Sequence, residues 1–192
     1  MKNIKSAILI ILVIFTATCF VGCYRFKKIE VEDFIDTVQE IYGEELELKH
    51  CIGGYSEATN TTHGADGTSS SSLIYRIYDD EEDARLRFEE YCDEFQESQE
   101  ENKDAVRIEI SHNSGYIIFD DISQVNSFSI YNSPAYVDEM YEVTDIYYND
   151  ARRFGCIYYY DSTIIVINSV EPFDTDIDST IELLDALSLP HM

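Results

Sequence analysis

Four groups of residues have types and spacings that bear on chemistry. His50, Cys51 and His63 are the closest approach to a Cys/His metal site, since imidazole and thiolate suit zinc or copper. Adjacent residues on a strand point to opposite faces, so His50 and Cys51 would diverge, and no fourth ligand is evident. Asp174, Asp176 and Asp178 carry the 1-3-5 spacing of a calcium loop, and Asp185 falls at position twelve. Ser179, however, stands where the sharp turn needs Gly. Ile177, Ile181 and Leu184 run through the same segment at helical spacing, so an acidic helix N-terminus is the plainer reading. No metal or other cofactor is expected.

The third group is aromatic. The chain has fifteen Tyr and no Trp. Tyr147-Tyr148 and Tyr158-Tyr159-Tyr160 would place rings on both faces of neighbouring strands. One face would join the core. The other would form an exposed strip able to stack on sugars or bury in a partner. The alternative is that Tyr simply suits strands and wet sheet faces. The fourth group is the acid itself, 38 Asp+Glu against 13 Lys+Arg. So many carboxylates meet by chance, and none is singled out as a general acid or base. The chain carries no nucleophile elbow, P-loop, dinucleotide fingerprint or two-His zinc helix. A net charge of −25 argues against nucleic acid, whose phosphates it would repel.

The N-terminus has a logic of its own. Lys2 and Lys5 precede an apolar run from Ala7 through Val21, the n- and h-regions of a secretory signal. The run closes on Phe20-Val21-Gly22-Cys23, which resembles the lipobox of bacterial lipoproteins. Cys19 is a poorer match, because Thr18 precedes it where a small residue is expected. The resemblance covers residues 1–23 only. It implies a signal peptide over 1–22, cleavage after Gly22, and a diacylglyceryl group on the Cys23 sulfur with an acylated new N-terminus. The competing reading is an uncleaved signal anchor. That would need about twenty apolar residues to span a bilayer, against about fifteen here.

Two or three acyl chains hold a protein to a membrane far better than one. The implied mature chain is therefore tethered to the extracytoplasmic face of a cell membrane through residues 23–29. Cleavage removes two lysines and no carboxylate, taking the formal charge from −25 to −27 over 170 residues. Arg25, Lys27 and Lys28 follow the anchor and suit anionic headgroups. Of five Cys, Cys51, Cys92 and Cys156 would remain in the domain, so at most one disulfide can form among them, and which one is left open.

The elements that position these residues follow from periodicity. Helices are expected over 30–43, 79–98 and 175–188 from apolar residues at i, i+3, i+4 and i+7. Strands are expected over 46–52, 73–78, 106–110, 116–119, 127–131, 141–148, 154–160 and 163–169. Asp161-Ser162 reads as a tight hairpin turn. The unbroken Ile164-Ile165-Val166-Ile167 reads as a strand covered on both faces. Residues 53–72, rich in Gly, Ser, Thr and Asn, read as a mobile loop.

The expected architecture is one α+β domain over 30–190: an antiparallel sheet of about six to eight strands with three helices packed mainly on one face. The expected function is a non-catalytic binding module for a protein or envelope component. The alternatives are an extracytoplasmic hydrolase acting on envelope material and a small-ligand-binding lipoprotein. The short chain counts against the latter, because solute-binding lipoproteins resemble larger, two-lobed proteins.

Overall fold

The computed structural model describes residues 26–63, 69–125, 148–171 and 177–192. Their elements, in chain order, are α1 (Val31–Tyr42), β1 (Lys49–Cys51), β2 (Tyr55–His63), β3 (Ser69–Tyr78), α2 (Glu81–Glu101), β4 (Val106–Ile110), β5 (Ser114–Val125), β6 (Tyr148–Tyr160), β7 (Thr163–Glu171) and α3 (Ile177–Leu187). The strands form one seven-stranded sheet in the order β1-β2-β3-β7-β6-β5-β4. Every pairing is antiparallel, and the fold is α+β.

The central strand β7 shows why the sheet needs cover on both sides. Ile165 and Ile167 enter one apolar cluster, and Ile164 and Val166 enter another. The first cluster lies under α1 and α3. It takes Phe34 and Val38 from α1, and Leu183, Leu184 and Leu187 from α3. Two of the three helices thus share a face. The third and longest, α2, crosses the opposite face and buries Ala84, Phe88, Tyr91, Cys92 and Phe95 against it. An unbroken Ile-Ile-Val-Ile strand leaves no wet face, so each side requires a helix.

Local signals set the helix ends. Gly43, at φ 71°, takes the left-handed conformation that stops α1, and its N–H donates to the Gln39 carbonyl at 2.9 Å. This is the glycine C-cap that lacks a Cβ penalty. The Asp80 carboxylate caps α2 by accepting the Glu82 N–H at 2.8 Å. Glu81, Glu82 and Asp83 fill that first turn, where the helix dipole favours negative charge. Asp161, at φ 50°, makes the β6–β7 turn and is bound on both sides. It donates its N–H to the Asn113 carbonyl at 2.8 Å and accepts from Asn113 Nδ2 at 2.6 Å.

One expectation is corrected. Of the stretch 53–72, expected as a mobile loop, nearly all the described residues belong to the β2–β3 hairpin, registered from Tyr55↔Tyr78 to His63↔Ser69. A backbone ladder does not depend on apolar side chains, and Thr suits a strand. Ser and Thr without apolar alternation read as a loop, yet β2 and β3 are each paired on both sides, with β1 and β7 as their outer neighbours. The strand expected at 127–131, and residues 141–147 of the one expected at 141–148, lie outside the described residues.

Candidate functional site

The segment that follows the proposed lipidation cysteine is built into the sheet. Phe26 stacks on Tyr116 and Tyr158, with ring centroids at 5.9 and 6.0 Å. The Tyr158 hydroxyl accepts the Lys27 N–H at 2.8 Å and donates to the Lys27 carbonyl at 2.7 Å. The Tyr75 hydroxyl donates to the Ile29 carbonyl at 2.6 Å. Ile29 itself is buried. Three tyrosines thus hold residues 26–29 against β3, β5 and β6, on the face that carries α1 and α3. Burial pushes the Tyr75 hydroxyl up to about 12, so it stays protonated and remains a donor. Beside the clamp, an open cleft of ≈ 300 Å³ is lined by Lys27, Lys28, Asp33, Asp36, Glu40 and neighbouring residues.

The tyrosine strip is corrected. Tyr158 lies in the core beneath α1 and α3, and Tyr159 lies in the core beneath α2. Both are nearly inaccessible, at 1% and 2% exposure. Tyr160 is half-buried and packs against the first cluster. The expectation left one face of this strand open, but α2 closes it: Phe88 stacks on Tyr159 at 5.2 Å. Tyr148 begins β6 opposite Val125. Tyr147 and Cys23 lie outside the described residues.

Among the described residues the candidate metal groups do not assemble. His50 pairs with Ser56 across the β1–β2 ladder, their side chains 3.4 Å apart. The Cys51 thiol faces its own strand's Lys49 carbonyl at 3.7 Å. His63 lies at the far end of β2. Asp178 is exposed at the start of α3, and Asp185 pairs with His191 at 3.0 Å. Asp174 and Asp176 lie outside the described residues. Among the described residues no three His, Cys, Asp or Glu side chains come together. Cys51, Cys92 and Cys156 are free thiols. Cys92 and Cys156 belong to clusters on opposite faces of the sheet. Burial raises both, Cys92 to about 12, which keeps them as inert thiols.

Sequence reasoning missed a charged cluster under the N-terminal half of α2. Arg76 of β3 is 5% exposed. Its Nε donates to Glu57 of β2 at 2.8 Å, and its Nη2 reaches the same carboxylate oxygen. The guanidinium lies 4.8 Å from the Tyr55 ring and 6.0 Å from the Tyr78 ring. Arg87 of α2 continues the pattern over Tyr91 at 4.3 Å. Burial works against the charge on Arg76, but Tyr78 and Glu57 outweigh it and hold the guanidinium firmly protonated. Paired and enclosed in this way, the cluster fixes the β2–β3 register and ties the hairpin to α2.

An open cleft of ≈ 430 Å³ lies between the start of α2 and the β4–β5 turn, lined by Glu82, Arg85, Phe88, Glu89, Ile110, Ser111, His112 and Tyr159. Arg85 donates from Nε to Glu82 at 2.9 Å and pairs also with Glu89. The hydrogen bond from Arg85 lowers the Glu82 carboxyl, which holds it as an ion rather than as a proton donor. No family model matches the chain, and neither a curated protein nor a solved structure is found to be similar to it.

Proposed function

We propose that this chain is a lipid-anchored extracytoplasmic protein whose domain is a non-catalytic binding module for a protein or envelope component. The observation that carries the reading is the sequence Phe20-Val21-Gly22-Cys23 at the end of an apolar run that follows Lys2 and Lys5. The clamp adds a geometric consequence. Phe26 is three residues beyond Cys23, and three residues span at most about 11 Å. An acylated Cys23 therefore holds the β5–β6 part of the α1/α3 face close to the bilayer. On that side Lys28 is paired with Glu30 at 2.8 Å, and Asp33, Asp36 and Glu40 line the neighbouring cleft, so the acyl chains rather than headgroup charge carry the attachment.

The binding reading draws on how the described polar groups are used. Tyr75 and Tyr158 hold the tether, Arg76 holds Glu57, and Ser169 pairs with Thr180. These groups are committed to the fold rather than gathered at a site for chemistry. The test has two arms. Cys23→Ala should move the chain from the membrane fraction to the soluble fraction or leave it as unprocessed precursor. Crosslinking on intact cells that express the full chain should capture a reproducible partner. An unchanged membrane fraction for Cys23→Ala refutes the anchor. Capture of nothing above background refutes the protein-binding arm.

A further inference from the structure

The β4 edge of the sheet is self-complementary. At the two ends of β4 the Ala105 carbonyl accepts from the Asp120 N–H, and the Ser111 N–H donates to the Ser114 carbonyl. The odd-numbered residues of this segment therefore turn their backbone groups toward β5. Val106, Ile108 and Ile110 turn theirs outward, because backbone groups alternate along an antiparallel ladder. Among the described residues nothing pairs with this side of β4, which ends the sheet. The side chains alternate as well. Val106 and Ile108 belong to the cluster beneath α2, and Ile110, on the same side by alternation, is 57% exposed. Arg107 and Glu109 take the other face, where Glu109 accepts from the Tyr116 hydroxyl at 2.7 Å.

A second β4 laid antiparallel about Ile108 meets each of these features. Ile108 faces Ile108, and Val106 faces Ile110. All outward N–H and C=O groups of these three residues then find partners. Arg107 faces Glu109 twice, in the non-hydrogen-bonded positions where side chains approach most closely. We propose that the occupant of the β4 edge is a second copy of this chain, joined by this register into a continuous two-fold sheet. The pairing buries the exposed Ile110 and covers an edge strand that would otherwise template association with other chains.

The two-fold axis of such a pair stands perpendicular to the sheet, so both copies present the same face on the same side. Phe26 packs on that face over Tyr116, which pairs directly with Glu109. Both tethers then leave near the axis on one side, where a single bilayer can take both anchors. The dimer itself rests on β4 and not on the anchor, so it stands or falls independently of lipidation.

The test uses the full chain in detergent at about 0.15 M salt, where repulsion between the acidic copies is screened beyond about 8 Å. Its mass is measured by light scattering against concentration. The wild type should dimerise. Arg107→Glu and Glu109→Arg should each weaken the dimer about tenfold, because each puts like charges opposite at two places. The doubly exchanged chain, Arg107→Glu with Glu109→Arg, should recover wild-type affinity. Ile110→Pro should abolish the dimer and keep the monomer's melting temperature, since the lost N–H faces solvent. A wild type that stays monomeric overturns the proposal, even if it pairs with a strand of another protein. So does a dimer indifferent to Ile110→Pro, or one that the double exchange fails to restore.

Discussion

Tyr158→Phe isolates the clamp that ties the tether to the sheet. The substitution keeps the ring, and with it the stacking on Phe26 at 6.0 Å. It removes one hydroxyl that makes two hydrogen bonds to Lys27, at 2.8 and 2.7 Å. A hydrogen bond contributes about 0.5–1.5 kcal/mol net. The Lys27 backbone is only partly buried, so water replaces part of what is lost, and the expected cost is about 1–2 kcal/mol. For a chain of this size that lowers the melting temperature by roughly 2–8 °C. The sharper readout is local. Trypsin cleavage after Lys27 and Lys28 should quicken by roughly tenfold, about what 1.4 kcal/mol of opening free energy gives. Limited proteolysis with N-terminal mass analysis follows this cut separately from global unfolding. Unchanged cleavage at Lys27 and Lys28, together with an unchanged melting temperature, would refute the clamp.

Three other perturbations probe the interior. Arg76→Met leaves the Glu57 carboxylate buried without its guanidinium and should cost about 3–5 kcal/mol in denaturant unfolding, whereas the pair Arg76→Met with Glu57→Leu should cost clearly less; equal losses would show that the ion pair is not coupled. Gly155→Ala brings a methyl group onto the Ile167 carbonyl of the neighbouring strand, where backbone cannot yield cheaply, so it should destabilise by about 2 kcal/mol or more; a neutral result in thermal melting would refute that close approach. Stability should fall on the alkaline side. Cys92 is raised from 9.0 to about 12 and Tyr75 from 10.0 to about 12. Both favour the protonated form when folded, so the unfolded chain ionises first and stability is lost as pH rises from about 9 toward 12. Denaturant midpoints measured between pH 8 and 11 check the sign, and a rising midpoint contradicts it.

Much of the fold can be read from local pattern, because burial and period coincide there. Phe34 and Val38 mark the inward face of α1, and the Asp161-Ser162 turn sits between the two strands it joins. The acidic start of α2 is legible as a helix beginning, and Asp80 makes the cap. The failures have two physical causes: a strand whose side chains carry no apolar period, and a deciding partner supplied by another element. The β2–β3 hairpin is held by its backbone ladder, and its Ser and Thr residues carry no period that announces a strand. Arg76 looks like an exposed strand residue until β2 supplies Glu57. Tyr158 and Tyr159 look half-solvated until α2 closes the second face. The Lys27–Tyr158 pair joins residues 131 positions apart, and no sequence spacing signals it.

The most direct test of the account is the mass of the N-terminal peptide of the chain purified from its native membrane. The account predicts that residues 1–22 are absent and that Cys23 begins the chain, carrying a thioether-linked diacylglyceryl group. A peptide that still begins at Met1, or a Cys23 without lipid, would contradict it.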